Sequence, residues 1–190
     1  PTFPAPHDAD PDGLLAVGGD LSEQRLLAAY ENGIFPWYNE HSPILWWSPT
    51  PRLILEPKKL HVSKSLQRLI NKKPFEITLD NDFRGVIKAC ACTRRADGLG
   101  TWLVPEMIKA YIKLHSLGFA HSVEAWQDNK LVGGLYGLSL GRAFFGESMF
   151  YHISGASKVA FVYLVRAMQS WGFDFLDCQQ TTRHMLCFGA

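Results

Sequence analysis

AHSVEAWQDNKLVGGLYGLSL, residues 120–140, reads as two strands folded back on Gln127, Asp128 and Asn129, the residue types that open a tight hairpin. RAFFGESMF, residues 142–150, follows as a third strand with almost no connection, so two antiparallel pairings stand side by side. Ala156 to Ser170 then has the apolar period of a long amphipathic helix, and FDFLDCQ, from Phe173, a short buried strand. A strand, a helix and a further strand make a crossover that closes in parallel. Antiparallel hairpins with one such crossover predict a mixed sheet.

Upstream, a helix is expected from about Ser63 to Asn71, stopped by Pro74, and FEITL, Phe75 to Leu79, is a strand. A helix over Phe83 to Cys90 follows, then RRADGLG, residues 94–100, a polar glycine-bearing loop. Pro105 suits a first helical turn and Gly118 a helix end. The order α-β-α-α-β-β-β-α-β places helices on both faces of the sheet. Residues 1–57 differ: they are rich in proline, and their one convincing helix is capped by Ser22, runs from Glu23 to about Tyr30 and ends at Gly33. The following FPWYNEHSPILWWSPTPR reads as ordered irregular chain, with a short strand at Leu53 to Leu55 and a boundary at Pro57. The expected class is α+β: a small N-terminal α+β domain, 1–57, and a larger mixed-sheet domain, 58–190.

Forty-seven per cent hydrophobic and 19% charged residues in a chain of 190 describe a globular protein able to build a core. A net charge of +1 supplies no whole-molecule field for nucleic acid, so such binding needs a local patch. No apolar run reaches the roughly eighteen residues of a membrane span, and no basic-then-apolar leader opens the chain, so the cytoplasm is expected. Cys90, Cys92, Cys178 and Cys187 lack zinc-site spacing and read as reduced, mostly buried thiols, with no metal site.

Glu147 is a lone carboxylate among Phe144, Phe145, Met149 and Phe150. Burying it ionised and unpartnered costs several kcal/mol, roughly, so it is paired, solvated from a cleft or used. Strict alternation sets Phe145, Glu147 and Met149 on one face, and Phe144, Gly146, Ser148 and Phe150 on the other. Gly146 leaves the backbone open to close approach. Asp177 ends a short apolar strand, where open α/β sheets place ligands, and Gln179 shares its face. Each alone reads as a strand-end polar group; together they converge on one end of the sheet. Lys64, Arg68 and Lys72 fall at i, i+4 and i+8 on one helix side, flanked by Lys58, Lys59 and Lys73. That is either a solvated face or a ladder of cations at phosphate spacing. Tyr30, Phe35, Trp37, Tyr38, Trp46 and Trp47 crowd a thin segment; some are core, and the others suit stacking on bases, worth about 1–3 kcal/mol each. No Ser-His-Asp or Cys-His arrangement is identifiable. Cys178 should point away from Asp177 and Gln179, and His121, His152 and His184 have no ligand spacing.

GLLAVGGDLSEQRLLAAYENGIFPWY (13–38), ILWWSPTPR (44–52), GTW (100–102), GGLYG (133–137), FFGESMF (144–150), ASK (156–158) and DCQ (177–179) together resemble the bacterial leucyl/phenylalanyl-tRNA–protein transferases. The resemblance runs from about Asp12 to Ala190. It implies transfer of leucine or phenylalanine from aminoacyl-tRNA to proteins with an N-terminal Arg or Lys, creating an N-degron. It also implies no metal or nucleotide cofactor, a monomer, and a larger domain like the acyl-CoA N-acyltransferase (GNAT-like) fold. By motif, Trp37 and Trp102 correspond to residues that hold the terminal adenosine, with Tyr30 beside them. Leu135, Phe144, Met149 and Leu176, with Gly146 and Ser148, correspond to the binding site for the transferred side chain. An apolar pocket discriminates by only about 1–3 kcal/mol per methylene, so methionine is expected as well. Glu147, Asp177 and Gln179 match the critical polar residues: Gln179 contacts the attacking amine, Asp177 polarises it, and Glu147 and Asp177 together suit a cationic N-terminus. Lys64, Arg68, Lys72 and Lys73 become the tRNA-binding row.

This chain has Thr182 where the family pattern usually has Asn, and it retains His184. It stops at CFGA, where relatives continue, and is expected to be truncated. Phe144 and Met149 cannot share a pocket on a regular strand, so the strand must bend after Gly146 or one of them lies elsewhere. Two other readings compete. An acetyl-CoA-dependent acetyltransferase would need a glycine-rich pyrophosphate loop where this chain has HISGASK, residues 152–158, with one glycine. A non-catalytic RNA-binding module would use only the basic helix and the tryptophans.

Overall fold

The computed structural model describes residues 1–93 and 103–190; Trp102 and the RRADGLG loop lie outside the described residues. In chain order the elements are β1 (Leu14–Val17), α1 (Glu23–Glu31), β2 (Phe35–Pro36), β3 (Leu45–Trp47), β4 (Ile54–Leu55), α2 (Lys64–Lys72), β5 (Glu76–Leu79) and α3 (Phe83–Cys92). They continue with α4 (Pro105–Ser116), β6 (Ala120–Gln127), β7 (Lys130–Leu140), β8 (Ala143–Tyr151), α5 (Ala156–Ser170), β9 (Phe175–Asp177) and α6 (Arg183–Leu186).

The main sheet has six strands in the order β4-β9-β8-β7-β6-β5. Among the described residues only β8 and β9 pair in parallel, joined by α5, so the sheet is mixed as expected. Asp128 and Asn129 both adopt left-handed backbone, φ 51° and 57°, and Gln127 pairs with Lys130. This is the two-residue turn whose twist matches paired strands. One face of the sheet is covered by α3 and α4 with α1 beyond them, the other by α2 and α5.

Residues 14–47 are less irregular than their proline content suggests. They form a second sheet, β1-β3-β2, in which Trp46 is buried and donates its indole N–H to the Gly18 carbonyl at 2.9 Å. Each strand is too short for a two-residue period to register in sequence. The strand at Ile54–Leu55 does not belong to this sheet. It is the edge of the main sheet, paired with Asp177 and Leu176, so that sheet begins before Pro57. The four cysteines are free; Cys90 is buried, but Cys92 and Cys187 are exposed, against the expectation of mostly buried thiols.

The decisive irregularity is in β8. Tyr136 pairs with Ser148 and Gly137 with Gly146, leaving Glu147 as one extra residue, a β-bulge. The bulge reverses the alternation. Phe145 and Phe150 both pack into the core under α3 and α4, whereas Phe144 and Met149 both pack on the α5 side. The face assignment from strict alternation is therefore wrong beyond Gly146, and the strand bends there. Gly137 permits this, because a Cβ there would strike the Phe145 carbonyl and the Phe144 ring. A Cβ on Gly146 would meet nothing closer than Leu176 at 3.6 Å. Gly137→Ala is accordingly expected to cost about 1–3 kcal/mol through overpacking. Gly146→Ala should stay within about 0.5 kcal/mol of the parent. Urea unfolding of the pair checks both values.

Candidate functional site

β9 ends its pairing with β8 at Asp177, opposite Phe145, while β8 runs on to Tyr151. The two strands part where Glu147 bulges out, and the gap is the site. On its inner side Leu135, Phe144, Met149 and Leu176, with Phe161 and Met185, line a cavity of about 280 Å³. On its outer side Phe35, Pro36, Trp37, Gln179 and Gln180 line a second cleft of about 180 Å³. Glu147, Cys178 and Thr182 belong to both. Glu147 thus stands where an apolar chamber opens onto a polar vestibule.

Its carboxylate is closely held. Tyr30 Oη donates to Oε1, Gln179 Nε2 to the same oxygen at 2.9 Å, and Tyr111 Oη to Oε2 at 3.4 Å. Burial pushes the Glu147 carboxyl up to about 8; the bonds from Tyr30, Gln179 and Tyr111 pull it down, and the charge of Asp177 adds to the rise. Glu124, another strand-borne acid, makes an instructive contrast. It is wholly buried and accepts from Thr78 and Ser122 at 2.5 Å each and from the amides of Asn81 and Asp82 at 3.3 and 3.4 Å. Surrounded by donors, Glu124 ties β6 to the turn before α3. Glu147 faces open space.

Asp177 is 4% exposed and does not present a free charge. Arg52, the last residue of the WWSPTPR stretch, grips it with Nε to Oδ1 at 2.9 Å and Nη2 to Oδ2 at 2.8 Å. The third guanidinium nitrogen reaches the Gly33 carbonyl at 2.7 Å, and the guanidinium lies 5.0 Å over the Phe35 ring. A fork of this shape matches a carboxylate on both oxygens. The expected negative pair of Glu147 and Asp177 is therefore corrected to a single uncompensated carboxylate, Glu147. Asp177 Oδ1 also accepts the Gln179 amide at 2.7 Å, which holds Gln179 in left-handed backbone, φ 63°, and aims its side chain at Glu147.

Trp37 is half-buried in the vestibule wall, its carbonyl accepting the Trp47 indole N–H at 2.7 Å. Tyr30 is 1% exposed, so its ring has no face free for a base; its hydroxyl serves Glu147 instead. Ser148 lines the inner cavity. Lys64, Arg68, Lys72 and Lys73 are all exposed on or just after α2. Cys178 shares the cavity walls with Glu147, and burial, then the charge of Asp177, pushes its thiol up to about 12, which removes it as a nucleophile at neutral pH. Thr182 caps α6 by accepting the Met185 amide at 3.2 Å. His184 lies on the inner cavity wall with its Nε2 buried and unpartnered, and burial and Lys158 hold it below its ordinary value.

A family model for leucyl/phenylalanyl-tRNA protein transferase matches residues 54–190, and one for the N-terminal domain of that transferase matches 19–50. The chain belongs to this family. It is 60% identical to the leucyl/phenylalanyl-tRNA–protein transferase of Solidesulfovibrio magneticus over 190 residues, 100% of this chain and 77% of the relative. It is 61% identical over 188 residues to that of Nitratidesulfovibrio vulgaris, 99% of this chain and 80% of the relative. Among solved structures it is similar to L-PGS from Bacillus licheniformis, with TM-score 0.49 and 11% identity over 82% of this chain and 51% of that one. The last likeness carries no functional argument. The family match does: the chain is an aminoacyltransferase working from aminoacyl-tRNA to protein, which sets aside the acetyl-CoA and RNA-module readings. Among the described residues no helix is long and apolar enough to cross a membrane.

Two measurements probe the site's electrostatics. Arg52→Ala leaves Asp177 buried and unpaired, an expected cost of about 3–5 kcal/mol in urea unfolding, with Arg52→Lys recovering part of it. Glu147 binds its proton more tightly folded than unfolded, so between its ordinary 4.5 and about 8 the fold should weaken as pH rises. The urea midpoint of Glu147→Gln should be flatter over that interval.

Proposed function

We propose that this aminoacyltransferase moves leucine, phenylalanine or methionine from its tRNA to the α-amino group of proteins beginning with Arg or Lys, in the cytoplasm, making an N-degron. The observation that carries the reading is the paired cavity divided at Glu147: an apolar chamber of about 280 Å³ opening on a vestibule with one uncompensated carboxylate. The transferred side chain occupies the chamber against Leu135, Phe144, Met149 and Leu176, with Phe161 and Met185 closing it. The ester carbonyl lies beside Gly146 and Glu147. The terminal adenosine is held at Trp37, and the acceptor's cationic N-terminus is drawn to Glu147. The small N-terminal domain, expected over 1–57 but ending before β4, brings Trp37 and Arg52 to the domain of the main sheet.

The ester is already activated, so the reaction needs no covalent intermediate on the protein; the main requirement is to hold ester and amine in register. Asp177, clamped by Arg52, contributes by fixing Gln179. Lys64, Arg68, Lys72 and Lys73 follow the tRNA backbone, and their exposure on and just after α2 supports this.

Transfer of radiolabelled leucine from tRNA to an Arg-starting peptide tests the site. Glu147→Ala and Asp177→Ala are each expected to lower it at least about 100-fold, and normal transfer by both would reject the assignment. Replacing Lys64, Arg68 and Lys72 together by alanine should reduce the slope of log affinity for tRNA against log salt by about 2–3. An unchanged slope would make that row a solvated face.

A further inference from the structure

An α-amine reaches the site largely as an ammonium and must lose a proton before or as it attacks the ester. Of the three polar groups at the gap, Asp177 has both oxygens engaged by Arg52 and one also by the Gln179 amide. Gln179 is a neutral amide, a poor base, and its nitrogen is donated to Glu147. Of these three only Glu147 borders both the chamber and the vestibule, with Cys178 and Thr182 beside it, at the point where ester and amine meet. Two buried hydroxyls from separate helices hold it there: Tyr30 of α1 and Tyr111 of α4, 2.5 Å from each other and both bonded to the carboxylate. Neither tyrosine lines the chamber or the vestibule.

We propose that Glu147 is the catalytic base of the transfer and that Tyr30 and Tyr111 are its positioning residues. This rests on the aminoacyl-transfer reading above. Glu147 takes the ammonium proton and releases it to solvent; the neutral nitrogen then bonds to the ester carbonyl carbon as the carboxylate takes a second proton from it. The tetrahedral intermediate then breaks its bond to the ribose oxygen, which leaves with the proton Glu147 held. The carboxylate is regenerated and nothing is oxidised or reduced.

The surroundings suit this role. Burial brings Glu147 to about 8, close to the roughly 7.7–8.0 of a free α-amine, so the proton passes between near-equal partners. The other titratable groups facing it are neutral at that pH. Burial and the Glu147 charge hold Tyr30, Tyr111 and Tyr136 well above the ordinary phenol value. Burial also raises the thiols of Cys90 and Cys178 to about 12, and His184 on the chamber wall is held below its ordinary value. The remaining charges nearby are Asp177 and the Arg52 that pairs with it.

The test is kcat against pH for leucine transfer at saturating tRNA and acceptor, in the parent, E147Q, Y111F and Y30F. E147Q is expected to lower kcat at least about 100-fold with the KM for tRNA unchanged. Each tyrosine variant removes a donor that favours the carboxylate, so the rising limb should move to higher pH. The acceptor amine is common to all variants, so a displaced limb belongs to the enzyme. Repeating the series with citrulline in place of the acceptor's arginine separates proton removal from side-chain recognition. A base matters equally for both acceptors, whereas a group that only binds the cation would raise KM for arginine and leave citrulline untouched. The proposal is overturned if E147Q retains kcat within about threefold of the parent, or if the limb is unmoved in whichever tyrosine variants keep their melting profile. A parent protein that transfers leucine to neither peptide would overturn the aminoacyl-transfer reading itself, a result distinct from an active parent with an indifferent E147Q.

Discussion

One surplus residue in β8 sets the rest of the site in place. Glu147 has no partner on β7, and because side chains alternate with period two, one added residue moves every later side chain to the other face. Phe144 and Met149 therefore join on the α5 side, and Phe145 and Phe150 join beneath α3 and α4. The same kink turns β8 away from β9, whose pairing stops at Asp177. The opening left between them lies at the C-terminal end of a parallel pair, where the sheet offers no further ladder bonds and a ligand can enter. Chamber, carboxylate and vestibule are consequences of a single change of register.

Charge in the gap is arranged by distance from donors. Glu124 and Glu147 both sit on central strands, yet four donors surround the first and a cavity faces the second. Asp177 occupies a third condition, buried but matched by a guanidinium that also grips the chain at Gly33. The pair joins the loop after α1 to the centre of the main sheet, so the segment bearing Trp37 is fixed against the catalytic strands by a desolvated ion pair with its hydrogen bonds satisfied. With Asp177 paired in this way, Glu147 is the carboxylate of the gap that no guanidinium or ammonium matches among the described residues.

Much of the architecture was legible in residues 58–190. The hairpin at Asp128-Asn129, the helix caps at Ser22 and Ser63 and the terminal crossover all carry local signals that a short window contains. The sheet of β1, β2 and β3 was not legible, because strands of two to four residues show no period. Of the site, Glu147, Asp177 and Gln179 stood out as polar residues in apolar company. Tyr111 did not: with Met107 and Leu114 it lies on the buried face of α4, and nothing in its spacing separates a hydroxyl with a task from ordinary core. Arg52 ends the ILWWSPTPR motif, yet nothing local marks its partner, since that carboxylate is 125 residues away in sequence.

The sequence by itself determined the element order, the mixed sheet, the family and three polar residues of the site, because hydrophobic period, turn residues and motif strings are local properties. Only the tertiary structure decided that Phe144 and Met149 face one chamber, that Asp177 is spent on Arg52, and that Tyr30 supports Glu147 from within the core. Those outcomes depend on strand register and on meetings between residues far apart in the chain. Neither is encoded in any single segment, and both arise only when the strands pair and the helices close over them.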